Sequence, residues 1–126
     1  MIIDTDVIIW YMRGNEKARL VLDRDVGFPI SVITYMELVQ GMRNKQELHA
    51  LRRALHGWQA RVLYLSEEIS SKALIYVEKH FLSHSLRLAD ALIAATAISC
   101  DLPLLTGNDK HYRVVKELKI KVFRPR

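Results

Sequence analysis

Short apolar runs alternate with amphipathic stretches along the whole chain, and this alternation sets the expected architecture. Met1-Ile2-Ile3 reads as a buried strand with Asp4 as its last residue. A short helical stretch over 5–12 ends near Gly14, and Asn15 is a fair N-cap for a helix over about 16–25. Phe28-Pro29-Ile30-Ser31 is a brief strand. Thr34 starts a helix that Gly41 can interrupt. A longer amphipathic helix follows from about 44 to 58, with Leu48, Leu51, Leu55 and Trp58 at helical spacing. Val62-Leu63-Tyr64-Leu65 forms the next strand, and Ser66 with Glu67 and Glu68 opens a helix to about His84. The helix that holds Asp90 runs to about Cys100. Pro103-Leu104-Leu105-Thr106 is a short buried strand, 109–117 a last helix, and Ile120-Lys121-Val122-Phe123 a last strand.

Short apolar strands alternating with helices imply an α/β fold whose mainly parallel sheet is covered on both faces. No repeat, low-complexity tract or Pro/Gly/Ser linker divides the chain, so 1–126 is expected to be a single domain. In such sheets ligands bind beyond the carboxyl ends of the strands. Asp4 and Thr106 both fall at that end of their strands.

Composition narrows the class. Half of the 126 residues are apolar and 26% are charged, the balance of an ordinary globular protein. Cys100 is the only cysteine, which excludes an internal disulfide and a Cys-based metal site and fits a reducing cytoplasm. The opening apolar run is too short for a signal peptide, and Asp4 and Asp6 interrupt it. Nothing approaches the roughly 20 apolar residues of a membrane span.

The net charge of +5 is compatible with a polyanionic partner. Its distribution says more than its sum. Arg43, Lys45, His49, Arg52, Arg53, His56 and Arg61 crowd one segment, which is either a solvated face or an RNA contact. A second group, Lys116, Lys119, Lys121, Arg124 and Arg126, lies in the tail.

Three acids stand in apolar surroundings, and each has an ordinary reading. Asp4 can cap the helix beginning at Thr5. Thr34-Tyr35-Met36-Glu37 fits a capping box, in which Glu37 reaches back to the cap residue. Asp90 lies near the first turn of its helix, where negative charge suits the dipole. Its neighbours Ala89, Ala91, Ala94, Ala95 and Ala97 nonetheless leave it little water. Thr106-Gly107-Asn108-Asp109 is an ordinary helix entry that can also hydrogen-bond metal-bound water or a phosphate. Several acids in one pocket repel one another until a cation neutralises them. Hard cations such as Mg²⁺ take oxygen ligands and are held by one or two carboxylates with several waters. His111 and Tyr112 read as packing or capping residues, and Trp10, Tyr11, Leu38 and Met42 as mostly core.

Four segments together resemble the successive motifs of PIN-domain proteins, with the VapC type of toxin from bacterial toxin–antitoxin pairs as the nearest match. They are Ile3-Asp4-Thr5-Asp6-Val7-Ile8-Ile9, Ser31 to Leu38 with Gly41, Ala89-Asp90 to Thr96, and Leu105-Thr106-Gly107-Asn108. Each motif alone is modest; their order and spacing, covering essentially the whole chain, are specific. The resemblance implies an α/β/α sandwich with a parallel sheet and an endoribonuclease dependent on Mg²⁺ or Mn²⁺. It implies Asp4 and Asp90 as direct metal ligands, with Glu37 completing the cluster through metal-bound water. Thr106 and Asn108 would orient carboxylates or substrate, and metal-activated water would attack an RNA phosphodiester in line. It also implies a cognate antitoxin as partner and a homodimer.

One position departs from the pattern. Many family members carry an aspartate where this chain has Asn108, which favours one tightly held metal. Asp109 follows directly and is a further candidate for the site, although an unchanged turn would point it elsewhere. Asp6 stands where relatives often have a neutral polar residue, and reads either as a supporting residue behind the metal ligands or as simply exposed.

Two rival readings use the same residues. Asp4-Thr5-Asp6 after an apolar strand matches a phosphatase with an aspartyl nucleophile, but the downstream lysine and acidic pair are missing and Glu37 goes unexplained. A non-catalytic module could keep the fold and use the basic surface to bind RNA or protein.

Overall fold

The computed structural model describes residues 1–82 and 86–126. In chain order the elements are β1 (Ile2–Ile3), α1 (Thr5–Met12), α2 (Glu16–Arg24), β2 (Pro29–Ser31), α3 (Val32–Gln40) and α4 (Lys45–Gly57). They continue with β3 (Arg61–Leu63), α5 (Glu67–His80), α6 (Leu88–Ser99), β4 (Leu104–Thr106), α7 (Asp109–Tyr112) and β5 (Ile120–Val122). All ladders are parallel. β1 pairs with β4 and β4 with β5, while β2 pairs with β3 and lies beside β1.

Alternation along two short strands builds the layers. Successive strand residues point to opposite faces, so Ile2 and Leu104 enter one core cluster while Ile3 and Leu105 enter the other. The first cluster takes Ile69, Ala73 and Tyr76 of α5 together with the alanine-rich face of α6. The second takes Val7 and Ile8 of α1, Leu22 of α2, Leu38 of α3, and Leu51 and Leu55 of α4. The result is an α/β/α sandwich with helices on both faces of a parallel sheet. The C-terminal tail is tied back to the start of α2, where Asn15 Nδ2 donates to Pro125 O at 2.8 Å.

Several element boundaries differ from the sequence expectation. Asp4 leaves the strand and caps α1: its backbone is extended and its side chain accepts from Thr5 N. α3 begins at Val32, two residues before Thr34, because Ser31 at the end of β2 supplies the capping oxygen to Ile33 N. Thr34 is therefore a buried interior residue and makes no capping box with Glu37. β3 starts at Arg61 and stops at Leu63, leaving Tyr64 and Leu65 exposed. α5 ends at His80; the expected end at His84 lies outside the described residues.

α7 covers 109–112 rather than 109–117. Beyond it the chain closes with i→i+3 bonds, Val115 N to Tyr112 O and Leu118 N to Val115 O. Tight turns thus bury Val115 and Leu118 without an α-helix. β5 ends at Val122, although Phe123 N still donates to Thr106 O at 2.8 Å.

Candidate functional site

The ends of β1, β2 and β4 lie at one edge of the sheet, and the loop or helix that follows each brings polar side chains there. Asp4 caps α1 at the end of β1 and is 3% exposed. Its Oδ1 accepts from Thr5 N at 2.8 Å, and its Oδ2 accepts from the Thr106 hydroxyl at 2.7 Å. Thr106, fully buried at the end of β4, also accepts from Asn108 N at 2.9 Å. One hydroxyl thus joins the ends of two strands and shapes the turn that follows.

Glu37 enters from α3. The Thr5 hydroxyl lies 2.7 Å from Glu37 Oε1 and 3.0 Å from Thr34 Oγ1, so Thr5 links the N-terminus of α1 to α3. Asp90 sits in the first turn of α6, largely buried, and its Oδ2 accepts from Arg87 N at 3.1 Å. Asp90 thus stands where the dipole reading expected it, and its bond to Arg87 N adds a cap that the sequence did not suggest.

Asp6, in the first turn of α1, points to the same edge. Its Oδ2 accepts from Gly107 N at 2.8 Å, while its Oδ1 is buried without a hydrogen-bond partner. A Cβ at position 107 would meet Asp6 Oδ2 at 2.6 Å and Phe123 O at 3.2 Å. Glycine there permits the close approach of the carboxylate.

The electrostatics follow from burial. Loss of water pushes the Asp4 carboxyl up to about 7, and the Asp6 charge beside it adds to the shift. Burial also raises the Asp6 carboxyl, against the opposing hydrogen bond from Gly107 N. The charges of Asp4, Asp90 and Asp6 all bear on the buried Tyr112 hydroxyl, in that order of size.

Asp109 is not brought into this group. It is 2% exposed, and Arg113 and Arg124 grip it at 2.6 and 3.0 Å. The two guanidiniums, Arg124 first, hold its carboxyl below the usual range despite its burial. It anchors α7 to the C-terminal strand. The Asn108 side chain is exposed and makes no cap hydrogen bond.

Among the described residues, no group of three or more His, Cys, Asp or Glu side chains is arranged to hold a metal ion by itself. The donor set nonetheless suits a hard cation. It is all oxygen, it includes the buried and half-satisfied carboxylate of Asp6, and Mg²⁺ needs only one or two protein carboxylates beside its waters.

Sequence reasoning missed three residues at this edge and left a fourth, Asp6, open. Thr5, Gly107 and Tyr112 carry no signal of their own, because their roles come from neighbours distant in sequence. Asp6 could be suspected from its place beside Asp4, but only its bond to Gly107 N fixes its direction.

The class the fold and site define is an α/β/α sandwich with acids gathered at the carboxyl edge of a parallel sheet. Comparison with known proteins narrows it. The sequence profile of the PIN domain matches residues 1–117. Ribonuclease VapC10 of Mycobacterium tuberculosis is 36% identical over 123 residues, spanning 94% of this chain and 90% of that protein. Ribonuclease VapC1 of Methanocaldococcus jannaschii is 31% identical over 124 residues, spanning 98% and 86%. A toxin–antitoxin complex from Klebsiella pneumoniae contains a chain that superposes with a TM-score of 0.78 at 26% identity, covering 99% of this chain and 97% of that one. The chain belongs to the PIN-domain family. Among the described residues, no helix is long and apolar enough to cross a membrane.

Proposed function

We propose that this protein is an endoribonuclease, the toxin of a toxin–antitoxin pair, that hydrolyses RNA phosphodiesters with the help of Mg²⁺ or Mn²⁺. The relatives named as VapC ribonucleases support the activity, and their match extends over nearly the whole chain. The observation that carries the chemistry is the Asp4 carboxylate, buried at the sheet edge and fixed by two donors.

Asp4 and Asp90 would hold the cation from β1 and α6, with Glu37 in reach of its water shell. The cation supplies a water of lowered pKa and neutralises charge on the phosphate under attack. The chain's own residues set the geometry. Thr106 orients Asp4, and Thr5 orients Glu37. Arg52 and Arg53 on α4 give an exposed basic surface that suits the RNA backbone.

The partners belong to the same reading. A cavity of about 520 Å³ beside Glu37, lined by Ile9, Met12, Leu38, Met42 and the cationic Arg13 and Arg43, is the candidate seat for an antitoxin segment. Exposed Leu74 and Ile75 on α5, with Phe81 and Leu82 beyond it, offer an apolar face for a second copy.

The test is cleavage of structured RNAs with and without Mg²⁺ or Mn²⁺, beside Asp4→Asn and Asp90→Asn. Metal-dependent cleavage that disappears in both variants is expected. Cleavage that persists unchanged in both, or that ignores EDTA, would overturn the reading, and RNA binding without cleavage would favour the binding module.

A further inference from the structure

Tyr112 is the largest of the fully buried side chains, and the mechanism above leaves its hydroxyl without a task. The residue is 1% exposed, and the hydroxyl has no hydrogen-bond partner. A hydroxyl left unpaired in the interior is destabilising, and phenylalanine would fill the same space without that cost. The polar atom therefore calls for an explanation in the site it faces.

Its position supplies one. The ring packs in the cluster that holds Ile2, Ala91 and Ala94. α7, which carries it, packs against α6, which carries Asp90. The Asp4 carboxyl lies close enough to act on the hydroxyl as a partner, although the two fall outside hydrogen-bond geometry here. A phenol carries its proton at neutral pH, so toward a carboxylate it serves as the donor. Asp4 has capacity left: each of its oxygens accepts one hydrogen bond, from Thr5 N and from Thr106, and each can accept another.

We propose that Tyr112 is a positioning residue of the acidic pocket: its hydroxyl donates to the Asp4 carboxylate and holds it toward Asp90, in the orientation that receives a divalent cation. The proposal rests on the metal-dependent reading above. Partners of this kind, one step removed from the metal, commonly change metal affinity by about 10–100-fold.

The experiment compares wild type with Tyr112→Phe, which keeps the ring and removes only the hydroxyl. Mn²⁺ binding is read by electron paramagnetic resonance of the free ion, RNA cleavage gives kcat and KM separately, and thermal melting is run in EDTA. The expected result is about tenfold weaker Mn²⁺ binding, a lower kcat at unchanged KM, and a metal-free Tm equal to or above wild type. Equal Mn²⁺ affinity in the two proteins overturns the proposal, as does a wild type that binds no Mn²⁺. A lowered metal-free Tm with unchanged affinity also overturns it, by showing a packing role. If wild type binds Mn²⁺ but cleaves no RNA while Tyr112→Phe binds more weakly, the positioning role stands and the nuclease reading falls.

Discussion

The Thr106 hydroxyl donates to Asp4 Oδ2 across 2.7 Å, joining residues 102 positions apart in the chain. The same oxygen accepts from Asn108 N, so one side chain orients a carboxylate and closes the following turn. Thr106→Val keeps the shape and removes both bonds. Stability is expected to fall by about 1–3 kcal/mol, because Asn108 N and Asp4 lose a buried partner. RNA cleavage should fall at least tenfold, and Thr106→Ser should restore most of both. Chemical denaturation and a cleavage assay check this; equal loss in the serine variant would show that packing, not the hydroxyl, matters.

Gly107 is fixed by Asp6. An added Cβ would press on Asp6 Oδ2 at 2.6 Å and on a main-chain oxygen at 3.2 Å. Gly107→Ala is therefore expected to cost about 1–3 kcal/mol, the usual range for overpacking. In an Asp6→Ala background the cost should be smaller, since one of the two obstacles is gone. A double-mutant cycle in urea measures the coupling; strict additivity would contradict the contact.

The pH dependence of the metal-free protein follows from Asp4. Its carboxyl titrates at about 7 in the folded chain, against about 3.9 when unfolded. Between these values the folded state keeps a proton that the unfolded state has lost. The contribution to stability is thus fully present below about pH 4 and is lost as pH rises through about 7. In EDTA, the denaturation midpoint should fall from about pH 4.5 to about pH 7.5, and Asp4→Asn should flatten that slope. Mg²⁺ should also flatten it, by neutralising the carboxylate in place of the proton. A midpoint that climbs over this range in EDTA would contradict the burial argument.

Asp109 is a buried acid held within the chain by two cations. Both of its oxygens are engaged by arginines that are themselves more than half exposed, Arg113 and Arg124. Asp109→Ala should cost about 1–3 kcal/mol, the range for hydrogen bonds to charged groups. Per folded molecule, RNA cleavage and Mn²⁺ affinity should stay within about threefold of wild type, far from the loss expected on removing an outer-shell partner of the metal. A loss of Mn²⁺ binding comparable to that of Asp4→Asn would place Asp109 in the site after all.

The sequence by itself determined the layers. Two-residue apolar strands such as Ile2-Ile3 and Leu104-Leu105 put one side chain into each core, so hydrophobic order alone specified a sheet covered on both faces. It also located Asp4 and Thr106, because strand ends are readable where apolar runs stop. Boundaries set by a single capping atom were less legible. Ser31 started α3 before Thr34, and that shift turned Glu37 from a capping residue into the acceptor of the Thr5 hydroxyl.

Only the tertiary structure decided which polar groups face one another. Asp6 meets Gly107, Asp109 is drawn to Arg113 and Arg124, and the Tyr112 hydroxyl is buried without a partner. Hydrophobic periodicity reports burial relative to one element's own neighbours. A hydrogen bond between strand ends depends on the register and packing of elements a hundred residues apart, and no local pattern carries that distance.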